Sequence, residues 1–114
     1  MKTRRLLLTE DAIRAYSRRG NYHSDPEEAK SLGLPGLVAQ GVQVAGSAYG
    51  VLLDEWGADF LAHGRFECRF VGMVTEGQSV EAKVIIDGKT ASFEVTNETA
   101  GNVAVAGTAS VVQQ

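Results

Sequence analysis

One long helix is predicted by the stretch Leu37-Val-Ala-Gln-Gly-Val-Gln-Val-Ala-Gly-Ser-Ala-Tyr-Gly-Val-Leu-Leu-Asp-Glu-Trp56, which ends at Gly57. From Ser31 to Leu53 the chain contains no charged residue. A helix this apolar is either a membrane span or a core helix enclosed by the rest of its domain. Polar side chains inside the stretch favour the core helix: Gln40, Gln43 and Ser47. We therefore expect a helix that is buried on nearly every side, in a chain that does not enter a membrane.

Beyond this helix the apolar period changes from that of a helix to that of β-strands. From Arg65 to Phe70 charged and apolar residues alternate, as in a strand that is exposed on one face. The Asp87-Gly88 pair predicts a tight hairpin, because these residue types supply positive φ angles. Three further strands and one further turn are predicted in the second half: strands at 80–86, 91–95 and 103–112, and a turn at 97–102.

The first third of the chain predicts shorter elements. A short strand at 6–8 is followed by Thr9, which can cap a helix that runs through Arg18. Asp25-Pro26 predicts the start of a second, short helix that ends near Gly33. Because the long helix can leave water only if the strands curl around it, these elements predict an α+β fold with a curved antiparallel sheet of about five strands.

Composition limits the functions that the chain can have. Its 114 residues, of mass 12.1 kDa and 44% hydrophobic, predict a single domain over residues 1–114. A net charge of −3 argues against nucleic acid or an anionic membrane surface as the main partner. Basic residues cluster at Lys2, Arg4 and Arg5 and at Arg14, Arg18 and Arg19, which leaves room for a local anion site. Cys68 is the single cysteine, so we expect no disulfide, no metal site and a reducing, cytoplasmic location.

A family resemblance is carried by the run His23-Ser-Asp-Pro-Glu-Glu-Ala-Lys-Ser-Leu-Gly-Leu-Pro-Gly-Leu-Val-Ala-Gln-Gly41. It resembles the His-x-Asp-Pro-Glu-x-Ala, Gly-Leu-Pro-Gly and Ala-His-Gly sequences of the MaoC-like, or R-specific enoyl-CoA hydratase, branch of the hot-dog fold. Residues 69–77 are similar to the family's Phe-x-x-Pro-Val-x-x-Gly strand and turn, with Met73 in place of the proline. Residues 95–109 resemble its last hairpin. The three segments follow the family's order and cover nearly the whole chain.

The resemblance implies a hot-dog homodimer, joined edge to edge through its sheets, that acts on an acyl thioester of coenzyme A or of an acyl carrier protein. The acyl chain would enter a tunnel beside the long helix. In the family an Asp and a His add water across a 2,3-double bond, or remove it, and no cofactor is needed. Backbone amides at the helix start polarise the thioester carbonyl. The matching positions here are Gln40, Gly41 and Val42.

The family's catalytic Asp has no acidic counterpart in this chain. Counting back from His23 without gaps places Arg18 at the Asp position, whereas an alignment on Tyr16 and Gly20 places Asn21 there. Asn21 can orient a water molecule but cannot accept its proton. A neutral histidine can accept a proton and return it elsewhere, so we expect His23 to act as the acid and base.

Several residues keep two interpretations. Arg18 and Arg19 either form a solvated helix end or contact a phosphate of coenzyme A or of the phosphopantetheine. The aromatic residues Tyr22, Tyr49 and Trp56 either line the acyl tunnel or fill the core. Asp25 is interpreted as a helix cap, His63 as a surface residue and Cys68 as a core residue rather than a nucleophile.

Taken together, the residues and the resemblance predict a dehydratase or enoyl hydratase of fatty acid or polyketide metabolism. The missing Asp favours an alternative, a double-bond isomerase or another tailoring enzyme on the same fold, because isomerisation needs proton transfer and no held water. A noncatalytic subunit that binds an acyl chain is a further alternative. A thioesterase is conceivable on this fold, but no carboxylate precedes the long helix at the position that such enzymes usually need.

Overall fold

The computed structural model describes residues 1–16, Glu27, Lys30 and residues 37–112. Within this part the elements follow in the order β1 Lys2–Leu8, α1 Glu10–Tyr16, α2 Gly41–Trp56, α3 Ala58–His63, β2 Gly64–Phe70, β3 Gln78–Asp87, β4 Thr90–Asn97 and β5 Asn102–Val111. The short helix that was predicted to end near Gly33 lies, apart from Glu27 and Lys30, outside the described residues.

The five strands form one antiparallel sheet in the order β1-β3-β4-β5-β2. The helix α2 contacts every one of these strands, so the sheet wraps around it. The predicted α+β hot-dog architecture, with its long central helix, is therefore confirmed. The strand β2 pairs with β5 on one side and forms one edge of the sheet, and β1 forms the other edge.

The core lies between α2 and the inner face of the sheet. The alternation that predicted β3 and β4 determines which side chains enter it: Val80, Ala82 and Val84 of β3 and Ala91, Phe93 and Val95 of β4 are all buried. The first helix contributes Ile13 and the first strand contributes Leu8, both without exposed surface. Burial of these apolar side chains supplies most of the free energy that holds the helix against the sheet.

The helix α2 begins four residues later than predicted, at Gly41 rather than Leu37. The preceding segment is extended because its backbone groups bond to a distant part of the chain. The Leu37 N–H donates to Glu76 Oε1 at 2.9 Å, and the Ala39 N–H donates to the Val74 carbonyl at 2.8 Å. The sequence pattern does not contain these partners, so the apolar run reads as helix throughout.

The expectation that α2 is buried on nearly every side is wrong. Six of its residues are buried: Val44, Ala45, Ser47, Ala48, Val51 and Leu52. On another face Val42 is 61% exposed and Tyr49 is 36% exposed, and Gly46 lies between them. The sheet ends at β2 on this side, so none of the five described strands covers that face.

The turns agree with the prediction except in two details. Gly57 has a φ of 59° and ends α2 as expected, but the six-residue helix α3, too short to show a periodic pattern, follows it directly. In the β3–β4 hairpin, Asp87 still pairs with Thr90, so the turn residues are Gly88 and Lys89. Only Gly88 has a positive φ, of 62°, which is the requirement of a two-residue turn with glycine first.

The first strand is longer than predicted because residues 2–8 all pair with β3, and its basic residues have acidic partners. Lys2 Nζ lies 3.0 Å from Glu55 Oε2, and Arg4 bonds to Asp54, so both cations offset carboxylates at the unfavourable C-terminal end of α2. Arg5 bonds to Glu98, which raises the pKa of the guanidinium above its ordinary value. The basic side chains of β1 thus have carboxylate partners within the chain.

Among the described helices, none combines the length and the hydropathy that a membrane span requires.

Candidate functional site

The first turn of α2 presents backbone N–H groups without side-chain caps. Gln40 occupies the N-cap position in an extended conformation, and its side chain makes no capping hydrogen bond. The first amide to bond within the helix is that of Val44, which donates to the Gln40 carbonyl at 3.1 Å. The first turn also contains no acidic residue. The positive end of the helix dipole can therefore attract a carbonyl oxygen or an anion that carries developing negative charge.

A cavity of about 380 Å³ adjoins this helix start. One wall is the turn that follows β2, including Gly72 and Met73, and the other is the segment from Val38 to Val42. The ring of Phe70, 56% exposed, lies against Gly41 where no Cβ intervenes. The glycine therefore lets an aromatic side chain approach the helix backbone directly.

An apolar groove of about 460 Å³ continues from this cavity along α2 and β2. The two spaces share Val42 and Phe70 at their boundary. The groove is lined by Val42, Gln43, Ala45, Gly46, Tyr49, Phe66, Cys68 and Phe70. Its volume lies in the range of small-molecule sites, and its lining suits an alkyl chain.

Aromatic rings form the wall of the groove farthest from Gly41. The ring centroid of Tyr49 lies 4.9 Å from that of Phe60 and 5.4 Å from that of Phe66. Trp56 instead packs on Phe60 at 5.5 Å and donates its indole N–H to the Gly88 carbonyl. Both residues were predicted either to line an acyl tunnel or to fill the core. Tyr49 lines the groove, whereas Trp56 packs against Phe60.

Two polar side chains, Gln43 and Cys68, lie in the groove wall. The Gln43 amide donates from Nε2 to the Ala12 carbonyl at 3.0 Å, which ties α2 to α1. Its Oε1 atom is buried and has no hydrogen-bond partner among the described residues. Burial raises the pKa of the Cys68 thiol above its ordinary value. A thiol that holds its proton more tightly is a poor nucleophile, which agrees with the interpretation of Cys68 as a packing residue.

Three of the predicted site residues come together at the start of α2: Gln40, Gly41 and Val42. The other predicted site residues lie outside the described residues: Arg18, Arg19, Asn21, Tyr22 and His23. Among the residues that are described, no group of three or more His, Cys, Asp or Glu side chains could hold a metal ion.

Apart from Tyr49, most residues of the groove were not assigned to a site by sequence reasoning. Gly46 and Tyr49 follow Val42 at helical spacing, and Phe66, Cys68 and Phe70 alternate along β2. Both periodicities are visible in the sequence. The sequence does not show which strand lies beside which face of the helix, because this contact joins segments about twenty residues apart through the tertiary fold.

Comparison with known proteins gives a family and a set of similar structures. The model of the MaoC like domain matches residues 2–108. No curated protein matches the chain by sequence. A MaoC-like dehydratase from Phytophthora capsici is 20% identical with a TM-score of 0.81, and the match covers 99% of this chain and 40% of that one.

Two smaller proteins have similar structures over most of their length. An (R)-hydratase from A. caviae involved in PHA biosynthesis is 18% identical with a TM-score of 0.71, over 97% of this chain and 95% of that one. The R-hydratase PhaJ1 from Pseudomonas aeruginosa is 19% identical with a TM-score of 0.74, over 95% and 76%. At these identities the likeness is one of fold. Because the family model spans nearly all of the chain, the protein belongs to the MaoC-like domain family.

Proposed function

We propose that the protein is a dehydratase or enoyl hydratase that removes water from, or adds it to, C2 and C3 of an acyl thioester. The observation that carries the proposal is the uncapped start of α2, where the Gly41 and Val42 amides adjoin a cavity that continues into an apolar groove. Membership of the MaoC-like family supports the same reaction, as do the hydratases of similar fold.

The amides at the start of α2 would bind the thioester carbonyl oxygen. Removal of a proton from C2 places negative charge on that oxygen, and an N–H group aimed at it stabilises the charge more in the transition state than in the ground state. The helix dipole adds to the effect, since the first turn holds no carboxylate that would oppose it.

His23 would move the proton. A neutral imidazole can take a proton from C2 and deliver it to the departing 3-hydroxyl, so one residue serves both halves of a syn elimination. Asn21 would orient the hydroxyl or water by hydrogen bonds, in the role that resemblance gives to the family's Asp. Tyr22, Arg18 and Arg19 would contact the substrate, the two arginines through phosphates of the carrier.

The edge of the sheet at β2 supports a second copy of the chain as a partner. Among the described strands β2 pairs only with β5, which leaves its other edge open, and the exposed side chains Val42, Tyr49 and Phe70 lie along the groove that β2 borders. A second copy joined through this edge would continue the sheet and cover apolar surface. We expect a homodimer in a reducing, cytoplasmic location that binds a thioester of coenzyme A or of an acyl carrier protein.

The test compares the two histidines of the chain. Purified protein is incubated with 2-enoyl-CoA thioesters, and loss of the conjugated absorbance is followed. His23→Ala should lose at least about 100-fold in kcat/KM, the usual contribution of a general base. His63→Ala is the matched control, because this exposed residue ends α3, and it should keep full activity. Equal activity in the wild type and His23→Ala would contradict the proposed role of His23.

Asn21→Asp tests the alignment of the missing acid. If Asn21 occupies the family's Asp position, the new carboxylate should raise the hydration rate. An unchanged or lower rate would favour the alignment that places Arg18 there.

Isomerisation of a double bond is the second candidate, favoured by the absence of an acid at either aligned position. It predicts that a 3-enoyl thioester gains conjugation in the presence of the protein, while 2-enoyl thioesters stay unchanged. A noncatalytic acyl-binding subunit predicts tight binding and no reaction with either substrate.

A further inference from the structure

We propose that the side-chain oxygen of Gln43 binds the hydroxyl group that the substrate carries on C3. This inference rests on the proposed function, since it takes the thioester carbonyl to bind at Gly41 and the acyl chain to enter the groove along α2. It adds a residue that recognises the reacting hydroxyl itself.

The two polar atoms of the Gln43 amide are in opposite situations. Nε2 donates to the Ala12 carbonyl at 3.0 Å. A backbone carbonyl can only accept a hydrogen bond, so the NH₂ group has to face α1 and Oε1 is turned away from it. Oε1 is buried and has no partner within the described part of the chain. Because an unpaired buried acceptor is costly, a ligand that brings a donor to this atom is favoured.

The acyl group is the part of the substrate that passes this acceptor. Gln43 lines the groove but not the cavity at the start of α2, where the thioester carbonyl would bind. The residue is half-buried, so its amide lies between α1 and the groove. The other two polar groups of the lining, the Tyr49 hydroxyl and the Cys68 thiol, do not bond to Oε1. The donor is therefore expected from the acyl group.

The spacing along the helix selects C3 as the carbon that carries the donor. Gln43 follows Gly41 by two residues, which corresponds to about 3 Å along the helix axis. Two carbon–carbon bonds of about 1.5 Å place C3 about 2.5 Å from the thioester carbon. A saturated or enoyl chain has no donor at this position, whereas a 3-hydroxyacyl chain has one. In hydration, the water that attacks C3 supplies the same O–H group.

This contact would orient the hydroxyl for the proposed elimination. The C2–H and C3–O bonds break, the C2–C3 double bond forms, and the hydroxyl leaves as water with the proton that His23 removes from C2. Donation of the hydroxyl hydrogen to Gln43 Oε1 leaves the lone pairs of that oxygen available for the incoming proton. Gln43 is neutral and accepts the hydrogen bond without taking the proton, so His23 remains the base. The Asn21 amide can still donate to the same oxygen.

The experiment compares two unreactive ligands by isothermal titration calorimetry. These are the amide analogues of hexanoyl-CoA and 3-hydroxyhexanoyl-CoA, in which NH replaces the thioester sulfur; they keep the carbonyl, but their C2 proton is too weakly acidic to be removed. The wild type should bind the 3-hydroxy analogue about 3- to 10-fold more tightly. Gln43→Leu should lose this preference because it has no acceptor. Gln43→Met, with an unbranched side chain of similar length, serves if Gln43→Leu fails to fold.

Gln40→Leu is the matched control, because this glutamine lines the cavity and not the groove, and it should keep the preference. The inference is overturned if the wild type binds both analogues equally, if the folded Gln43 variants keep the preference, or if a 5-hydroxyhexanoyl analogue binds more tightly than the 3-hydroxy analogue.

The same measurements separate this inference from the proposed function. A wild type that hydrates 2-enoyl thioesters but shows no preference between the analogues removes the role of Gln43 and leaves the hydratase proposal intact. A preference that depends on Gln43, in a protein that hydrates no enoyl thioester, supports the hydroxyl site and removes the hydratase proposal.

Discussion

The ring of Phe70 occupies the space that a side chain on Gly41 would need. A Cβ atom at Gly41 would lie 2.5 Å from Phe70 Cδ1 and 2.7 Å from Cε1, well inside van der Waals contact. At the boundary between the cavity and the groove, the absence of a side chain on the first residue of α2 thus makes room for the ring of the last residue of β2.

Gly41→Ala should therefore reduce activity more than stability. Because Phe70 is 56% exposed, its ring can turn away from the new methyl group, and the free energy of unfolding should change by about 1 kcal/mol or less. The displaced ring would narrow the access to the helix amides, and we expect kcat/KM for 2-enoyl thioesters to fall by about 10-fold or more. The double variant Gly41→Ala/Phe70→Ala should recover part of this loss, and no recovery would contradict a steric origin.

Asn97 should be a large contributor to stability. Its side chain has no exposed surface, donates from Nδ2 to Gln78 Oε1 at 2.9 Å and accepts from the Ala100 N–H at 3.0 Å. Asn97→Ala should lower the free energy of unfolding by about 2 to 3 kcal/mol, since it removes both bonds. Chemical denaturation measures the loss, with Ser92→Ala, an exposed position on the same strand, as the control that should change by less than about 0.5 kcal/mol.

Two glycine substitutions should have opposite effects. A Cβ at Gly107 would lie 2.7 Å from Phe93 Cζ and 2.9 Å from Cys68 Cα, so Gly107→Ala should destabilise the protein by about 1 to 3 kcal/mol. Gly46→Ala adds a Cβ to open space in the interior of α2 and should stabilise it by about 0.5 to 1 kcal/mol. Melting temperatures measured side by side check both signs, and a stabilised Gly107→Ala would contradict the close packing of β5 on β2.

Cys68 should react slowly with thiol reagents. Burial raises the pKa of the thiol, so the folded protein has less thiolate than the unfolded chain at any pH near neutrality. The rate of alkylation by iodoacetamide should be lower in the native protein than in denaturant. In the native protein it should rise only at a pH above the pKa of an ordinary thiol. A native rate equal to the unfolded rate would contradict this.

The same shift makes stability depend on pH. The folded state binds the Cys68 proton more tightly than the unfolded chain does. The protonated thiol therefore adds to the free energy of unfolding below the thiol pKa of the unfolded chain, and this addition is lost as the pH rises through the raised pKa of the folded state. Cys68→Ala should show less of this alkaline loss than the wild type when unfolding is followed by pH titration.

The elements that were predicted correctly are those whose signals are local. Alternation of apolar residues in β3 and β4 reflects a side-chain period of two, and the positive φ of Gly57 and Gly88 follows from the absence of a Cβ atom. The site assignment of the amides at 40–42 came instead from the family resemblance, because the local pattern starts the helix at Leu37, and it stays a prediction.

The sequence by itself thus determined the element types and the central helix around which the sheet wraps. Only the tertiary structure decided that α2 starts at Gly41, because the Leu37 amide bonds to Glu76, a residue thirty-nine positions away. It also decided which side of α2 stays uncovered and that Phe60 fills the space behind Tyr49. These outcomes depend on contacts between segments far apart in the chain, where packing of particular side chains overrides local periodicity.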